Sequence, residues 1–148
     1  MAVKATSINW YSDGAVAFPG MKANTTLDVV DTFVVEDEAG LEPGDLVILG
    51  TDPEQTVKKA TGQITAGALV GIVVHTHKEP AKPYYAKGDA VGVMTFGDIY
   101  VSVASDVKAG QFAKVTAGQF NNTGTEVSTI RYMTSANSGD VAVVRIRN

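Results

Sequence analysis

The chain has 148 residues, 45% hydrophobic and 19% charged, which supplies enough apolar material for one domain with a real core and excludes disorder of the whole chain. A net charge of −4 at pH 7, with no basic run longer than Lys58-Lys59, argues against nucleic acid as a partner. Cysteine is absent, so a disulfide framework, a thiolate nucleophile and a zinc–thiolate site are all excluded.

The first residues, MAVKATSINWYSDGAVAF, contain no apolar signal core, and no stretch reaches the roughly 20 apolar residues that cross a bilayer. The expectation is a soluble protein made in the cytoplasm, with no membrane partner. Glycine is frequent at 15 residues, and Thr, Val and Ala are plentiful while Leu is scarce. That mixture favours strands and turns.

In chain order, residues 1–26 read as an extended N-terminal arm. Asp13-Gly14 and Pro19-Gly20 punctuate it, and Trp10, Tyr11, Phe18 and Met21 stand isolated with no period of 2 or 3.6. Side chains so spaced cannot build a core of their own, and aromatic anchors dominate protein interfaces. They either fold back on their own domain or dock on a neighbour. The second alternative is preferred, which makes Trp10, Tyr11, Phe18 and Met21 the expected partner-binding residues.

From Leu27 to Asn148 the pattern predicts a β domain of short apolar runs, each introduced by a glycine turn. The phrase appears as Glu42-Pro43-Gly44-Asp45-Leu46, Thr65-Ala66-Gly67-Ala68-Leu69 and Ala86-Lys87-Gly88-Asp89-Ala90. It returns as Lys108-Ala109-Gly110-Gln111-Phe112, Thr116-Ala117-Gly118-Gln119-Phe120 and Asn137-Ser138-Gly139-Asp140-Val141. Glycine takes positive φ at the third turn position without steric cost. The first four of these glycines are spaced by about 22 residues, the length of two strands with their connections.

The strands expected are Phe33–Val35, Leu46–Leu49, Leu69–Val74, Ala90–Met94, Ile99–Val103, Ala113–Val115, Ile130–Met133 and Val141–Ile146. The last alternates Val141, Val143 and Arg145 with Ala142, Val144 and Ile146, so both faces are largely apolar. The fold class expected is therefore all-β, a small closed barrel or a sandwich. One helical turn is allowed at Thr56–Ala60, stopped by Thr61-Gly62.

His75-Thr76-His77 is the one constellation with a metal reading, because residues i and i+2 of a strand share a face, with Glu79 next on that face. It resembles the first half of a cupin metal site. Glu79 follows too closely, however, and the chain has no third histidine for the second half. The bland reading is a polar turn before Pro80 and Pro83. No metal or cofactor is expected, and a small cupin-like enzyme using His75 and His77 stands as the alternative.

Glu36, Asp37, Glu38, Glu42, Asp45, Asp52 and Glu54 form an acid-rich stretch without Lys or Arg. It lacks the spacing of a calcium loop and reads as a solvated face. Nucleophile-elbow, phosphate-loop and dinucleotide glycine motifs are absent. No catalytic residue is assigned, and the expectation is a protein that is not an enzyme.

Taken together, several phrases resemble a known family. They are Leu41-Glu42-Pro43-Gly44-Asp45-Leu46-Val47-Ile48-Leu49-Gly50, Ala68-Leu69-Val70-Gly71-Ile72-Val73-Val74, Lys87-Gly88-Asp89-Ala90-Val91-Gly92-Val93 and Val107-Lys108-Ala109-Gly110-Gln111-Phe112, followed by Ala117-Gly118-Gln119-Phe120. With the irregular arm before them, they resemble the structural cement, or decoration, proteins of tailed bacteriophage heads. The resemblance implies a β domain on the outer surface of the virion capsid. It implies bridging of major capsid protein subunits, a homo-oligomer with the trimer favoured, and stabilisation of the shell. Another virion component, such as a head-fibre base or tail protein, is the structural alternative.

Overall fold

Glycine turns decide where strands begin. The computed structural model describes residues 17–24, 27–61, 68–76 and 84–148. Within them Gly44, Gly88, Gly110 and Gly139 have φ of +89°, +87°, +89° and +85°. Each turn closes with an N–H to carbonyl bond from the fourth residue to the first, such as Asp45 to Glu42 at 3.1 Å and Asp89 to Ala86 at 3.0 Å. The aspartate after the glycine has a second purpose. Asp45 Oδ2 accepts the Glu42 N–H at 2.8 Å and Asp89 Oδ2 accepts the Ala86 N–H at 2.9 Å, so the carboxylate locks the turn from the far side. Thr116–Gln119 is a different turn: Ala117 and Gly118 both have positive φ (50° and 77°), the mirror-image geometry that suits a two-residue hairpin.

The described residues form nine strands: β1 Val29–Val35, β2 Leu46–Leu49, β3 Thr56–Lys59, β4 Leu69–Val73, β5 Ala90–Ser102, β6 Phe112–Thr116, β7 Gln119–Asn121, β8 Thr125–Tyr132 and β9 Val141–Arg147. They lie in the order β1-β3-β2-β4-β5-β9-β8-β6-β7, and a further β1–β5 pairing closes the first five into a barrel. Among the pairings of these described strands β1–β3 alone is parallel, and a single bridge from Val103 to Phe120 of β7 is parallel as well. No described residue is helical.

β5 belongs to two structures at once. Its first half pairs with β1 and β4 inside the barrel, and residues 96–102 pair with β9 in a second sheet continued by β8, β6 and β7. The change of partner falls at Gly97, whose φ of +138° excludes most side chains and where a Cβ would sit 2.8 Å from Asp28 Cβ.

Two cores result. Val35, Val47, Val57, Val73, Val91 and Val93 fill the barrel with Leu41 and Tyr85. Leu46, Ile72, Met94, Ile99, Ile130 and Ile146 lie among the residues that pack the barrel wall against the second sheet. β4 is buried along its whole length because its residues alternate between these cores. Gly71 sits where β4 crosses β5 so closely that a Cβ would stand 2.1 Å from the Met94 carbonyl oxygen.

Several expectations change, among them the start of β1, which is Val29 and not Phe33. Thr56–Lys59 is a strand, not a helical turn, because pairing with β2 and β1 satisfies its backbone while Val57 enters the barrel. The two strands expected at Ala90–Met94 and Ile99–Val103 are one continuous β5. The hairpin partner β7 is too short to show a period, and β8 begins at Thr125, five residues before Ile130.

Candidate functional site

Residues 18–24 lie along the edge of β5 that β9 leaves uncovered. The Gly20 N–H donates to the Tyr100 carbonyl at 2.8 Å, the Tyr100 N–H to Met21 at 2.9 Å, and the Ala23 N–H to Asp98 at 3.0 Å. On the barrel side the His75 N–H donates to the Gly20 carbonyl at 2.8 Å. The segment thus fastens the second sheet to the end of β4. Phe18 is half-buried with its ring edge-on to His75, centroids 4.6 Å apart, and Met21 is also half-buried. Trp10 and Tyr11, expected beside them as partner-binding residues, lie outside the described residues.

Asp98 anchors this segment from below. Its carboxylate takes a bidentate pair from Arg145, Nε to Oδ1 at 2.8 Å and Nη2 to Oδ2 at 2.9 Å, and Asn24 Nδ2 donates to Oδ2 at 2.7 Å. These charge-assisted bonds, the Arg145 ones foremost, hold the Asp98 carboxyl below the usual carboxylate range. Strand register places the three side chains here: Asp98 faces Arg145 across β5–β9, and Arg145 faces Arg131 across β9–β8.

The same row continues outward. Arg131 faces Phe112 of β6 and lies over its ring at 4.6 Å, while Arg147 lies over Phe96 at 5.5 Å. Phe112 and Met133 are 38% and 37% exposed. With Thr129 and the three arginines they line a shallow hollow of about 360 Å³. Sequence reasoning missed this face, although all the arginines of the chain fall after Ile130 and two of them alternate on the last strand. That clustering was the available clue.

The acid-rich stretch divides by role. Glu36 Oε2 accepts from Thr51 N at 2.5 Å and Thr56 Oγ1 at 2.9 Å, and Oε1 from Thr51 Oγ1 at 2.6 Å. Those bonds, led by the Thr51 hydroxyl, pull its carboxyl down to about 2. Asp37 accepts the Lys59 N–H, Asp45 pairs with Lys59 Nζ at 3.5 Å, and Glu38 pairs with Lys87. Glu42, Asp52 and Glu54 are exposed, with Asp52 Oδ1 accepting the Glu54 N–H at 3.2 Å.

His75 follows the end of β4 in a segment held by Tyr85, whose buried hydroxyl donates to the Val74 carbonyl at 2.8 Å and accepts the Thr76 N–H at 3.1 Å. His77 and Glu79 lie outside the described residues. Among the described residues no three His, Asp or Glu side chains gather where a metal could be held.

The family described as structural cement protein (E217 gp24/Pam3 gp6) matches residues 8–147. Among solved structures, the capsid of Myoviridae phage XM1 contains a chain with a TM-score of 0.69 at 18% identity, covering 97% of this chain and 99% of that one. The N base of head fibre gp8.5 of bacteriophage phi29 is similar with a TM-score of 0.50 at 17% identity, over 81% of this chain and 94% of that one. No curated protein matches the chain.

Proposed function

The chain belongs to the structural cement protein family, with a capsid-associated structural role in a phage, and from that premise we propose that it binds the outer surface of the head and bridges major capsid protein subunits. It acts there as a homo-oligomer, with the trimer favoured, without catalysis, metal or cofactor, after synthesis in the host cytoplasm. The observation that carries this reading is the family match over residues 8–147, almost the whole chain.

The fold suits the task physically. Barrel closure removes strand edges, residues 20–23 cover one edge of the second sheet, and the other edge is the three-residue β7. A protein crowded in many copies on one shell is thereby guarded against indiscriminate strand pairing. Residues 1–26 form the arm, and 27–148 the domain it tethers. Trp10 and Tyr11 make the outer grip while Phe18 and Met21 sit at its root. Because the root is hydrogen-bonded to β5, tension on the arm passes into the sheet rather than into a loose linker.

The test uses heads stripped of the protein and rebuilt with the full chain or with a chain lacking residues 1–16. Burying one large apolar side chain gives about 1.5–3 kcal/mol, so losing Trp10 alone should weaken binding about 10- to 100-fold. Occupancy is read by cryo-microscopy at matched concentration. Equal occupancy of both chains refutes the arm as a contact, and no binding by the full chain refutes the cement role.

A further inference from the structure

We infer that the arginine face of β8 and β9 is a contact site for a second copy of this chain, whose β2–β3 loop supplies the carboxylates. The inference deepens the cement reading and rests on it for its setting, a shell on which copies lie side by side.

All three arginines of a chain with net charge −4 line one hollow. Asp98 pairs with Arg145, which leaves Arg131 and Arg147 exposed, each with its guanidinium carbon over a phenylalanine ring, at 4.6 and 5.5 Å. A guanidinium already packed on a ring loses less side-chain freedom when it pairs with a carboxylate, which it can bind through two N–H groups at once. Phe112 and Met133 add exposed apolar surface between the charges, and the hollow has no carboxylate in its lining. In its wall the Thr129 hydroxyl is buried without a hydrogen-bond partner among the described residues. A polyanion such as nucleic acid is a poor occupant, because the rest of the surface carries the acid excess and would repel it.

The matching surface is on the same molecule. The β2–β3 loop exposes Asp52 and Glu54 on either side of Pro53, Asp52 Oδ1 also accepting the Glu54 N–H at 3.2 Å, with Leu49, 40% exposed, at the loop's base. Of the other acids in the stretch, Glu36 is engaged by Thr51 and Thr56, Asp37 by Lys59 and Glu38 by Lys87, while Glu42 is exposed in the turn before β2. The loop therefore offers two carboxylates beside apolar surface to a face offering two guanidinium groups beside apolar surface. The loop belongs to the barrel and the arginine face to the second sheet.

Sedimentation velocity of the full chain across rising concentration and two salt levels tests this. Wild-type protein should self-associate at low salt and do so several-fold less at high salt. Arg131→Glu with Arg147→Glu, or Asp52→Lys with Glu54→Lys, should each weaken association about tenfold or more. Mixing the two variants should restore it, since the intact arginine face of one then meets the intact loop of the other. All four positions are exposed, and circular dichroism verifies that the fold persists. Wild-type protein that stays monomeric throughout, or association indifferent to the arginine reversal, overturns the inference. If the wild type is monomeric and the arginine variant loses head occupancy, the face touches the shell and the second-copy assignment is again overturned. Head binding by the wild-type chain is scored separately, so the cement role stands or falls on its own measurement.

Discussion

Two truncations separate the root of the arm from its tip. Removing residues 1–16 touches none of the contacts described for Phe18 to Asn24. Removing residues 1–24 deletes four backbone hydrogen bonds that join this segment to β5 and to His75, and the Asn24 bond to Asp98. A hydrogen bond exchanged for water is worth about 1 kcal/mol net, and one to a charged group about 1.5–3 kcal/mol. The longer truncation should therefore cost roughly 5.5–7 kcal/mol, a large share of the ~5–15 kcal/mol that holds a domain folded. At about 2–4 °C per kcal/mol for a chain of this size, the thermal midpoint falls by roughly 11–28 °C. The shorter truncation should leave stability within ~1 kcal/mol of the full chain. Thermal denaturation followed by far-ultraviolet circular dichroism is the assay, because Trp10, the single tryptophan, departs with either truncation. Equal midpoints for chains 17–148 and 25–148 would mean that the segment rests on the sheet without supporting it.

The fold makes three more quantities measurable. Gly71→Ala places a methyl against the Met94 carbonyl and forces β4 from β5, so it should destabilise by about 1–3 kcal/mol or more, and a wild-type denaturation midpoint would contradict the close crossing. Glu36 titrates at about 2 when folded against 4.5 ordinarily, so its contribution is complete above pH 4.5 and is lost as pH falls from there toward 2. Glu36→Gln should flatten the fall of stability across that window, and an unaltered slope between wild type and variant would rule out the loop bonds as its source. Ala117→Gly should raise stability by up to about 1 kcal/mol, because alanine pays a left-handed strain at φ 50° that glycine does not; a loss instead would mean that chain entropy outweighs that strain.

Much of the β domain was legible from local chemistry. Each phrase of two residues, glycine, then Asp or Gln described by the structure opens a strand, because positive φ at the third turn position is a local demand that glycine meets alone. The alternation of Ala142, Val144 and Ile146 with Val141, Val143 and Arg145 likewise announced a strand between two environments, and β9 is one. Thr56–Lys59 was not legible: four residues carry no decisive period, and only pairing with β2 and β1 fixes them as a strand. Nor could the sequence show that β5 runs unbroken from Ala90 to Ser102, since Gly97 looks like a terminator until two sheets are seen to share the strand.

The sites divide in the same way. The large side chains of the leading segment are visible as an irregular apolar scatter, but the seating of Phe18 on His75 depends on residues 57 positions apart. The arginine face depends on register across β6, β8, β9 and β5, which brings Phe112, Arg131, Arg145 and Asp98 into one row from four separate stretches of chain. Turn chemistry acts over three or four residues, so the sequence alone determined where the strands that follow a glycine turn start and that the fold is all-β. Barrel closure, the shared strand and the charged row are long-range pairings between strands, and only the tertiary structure decides them.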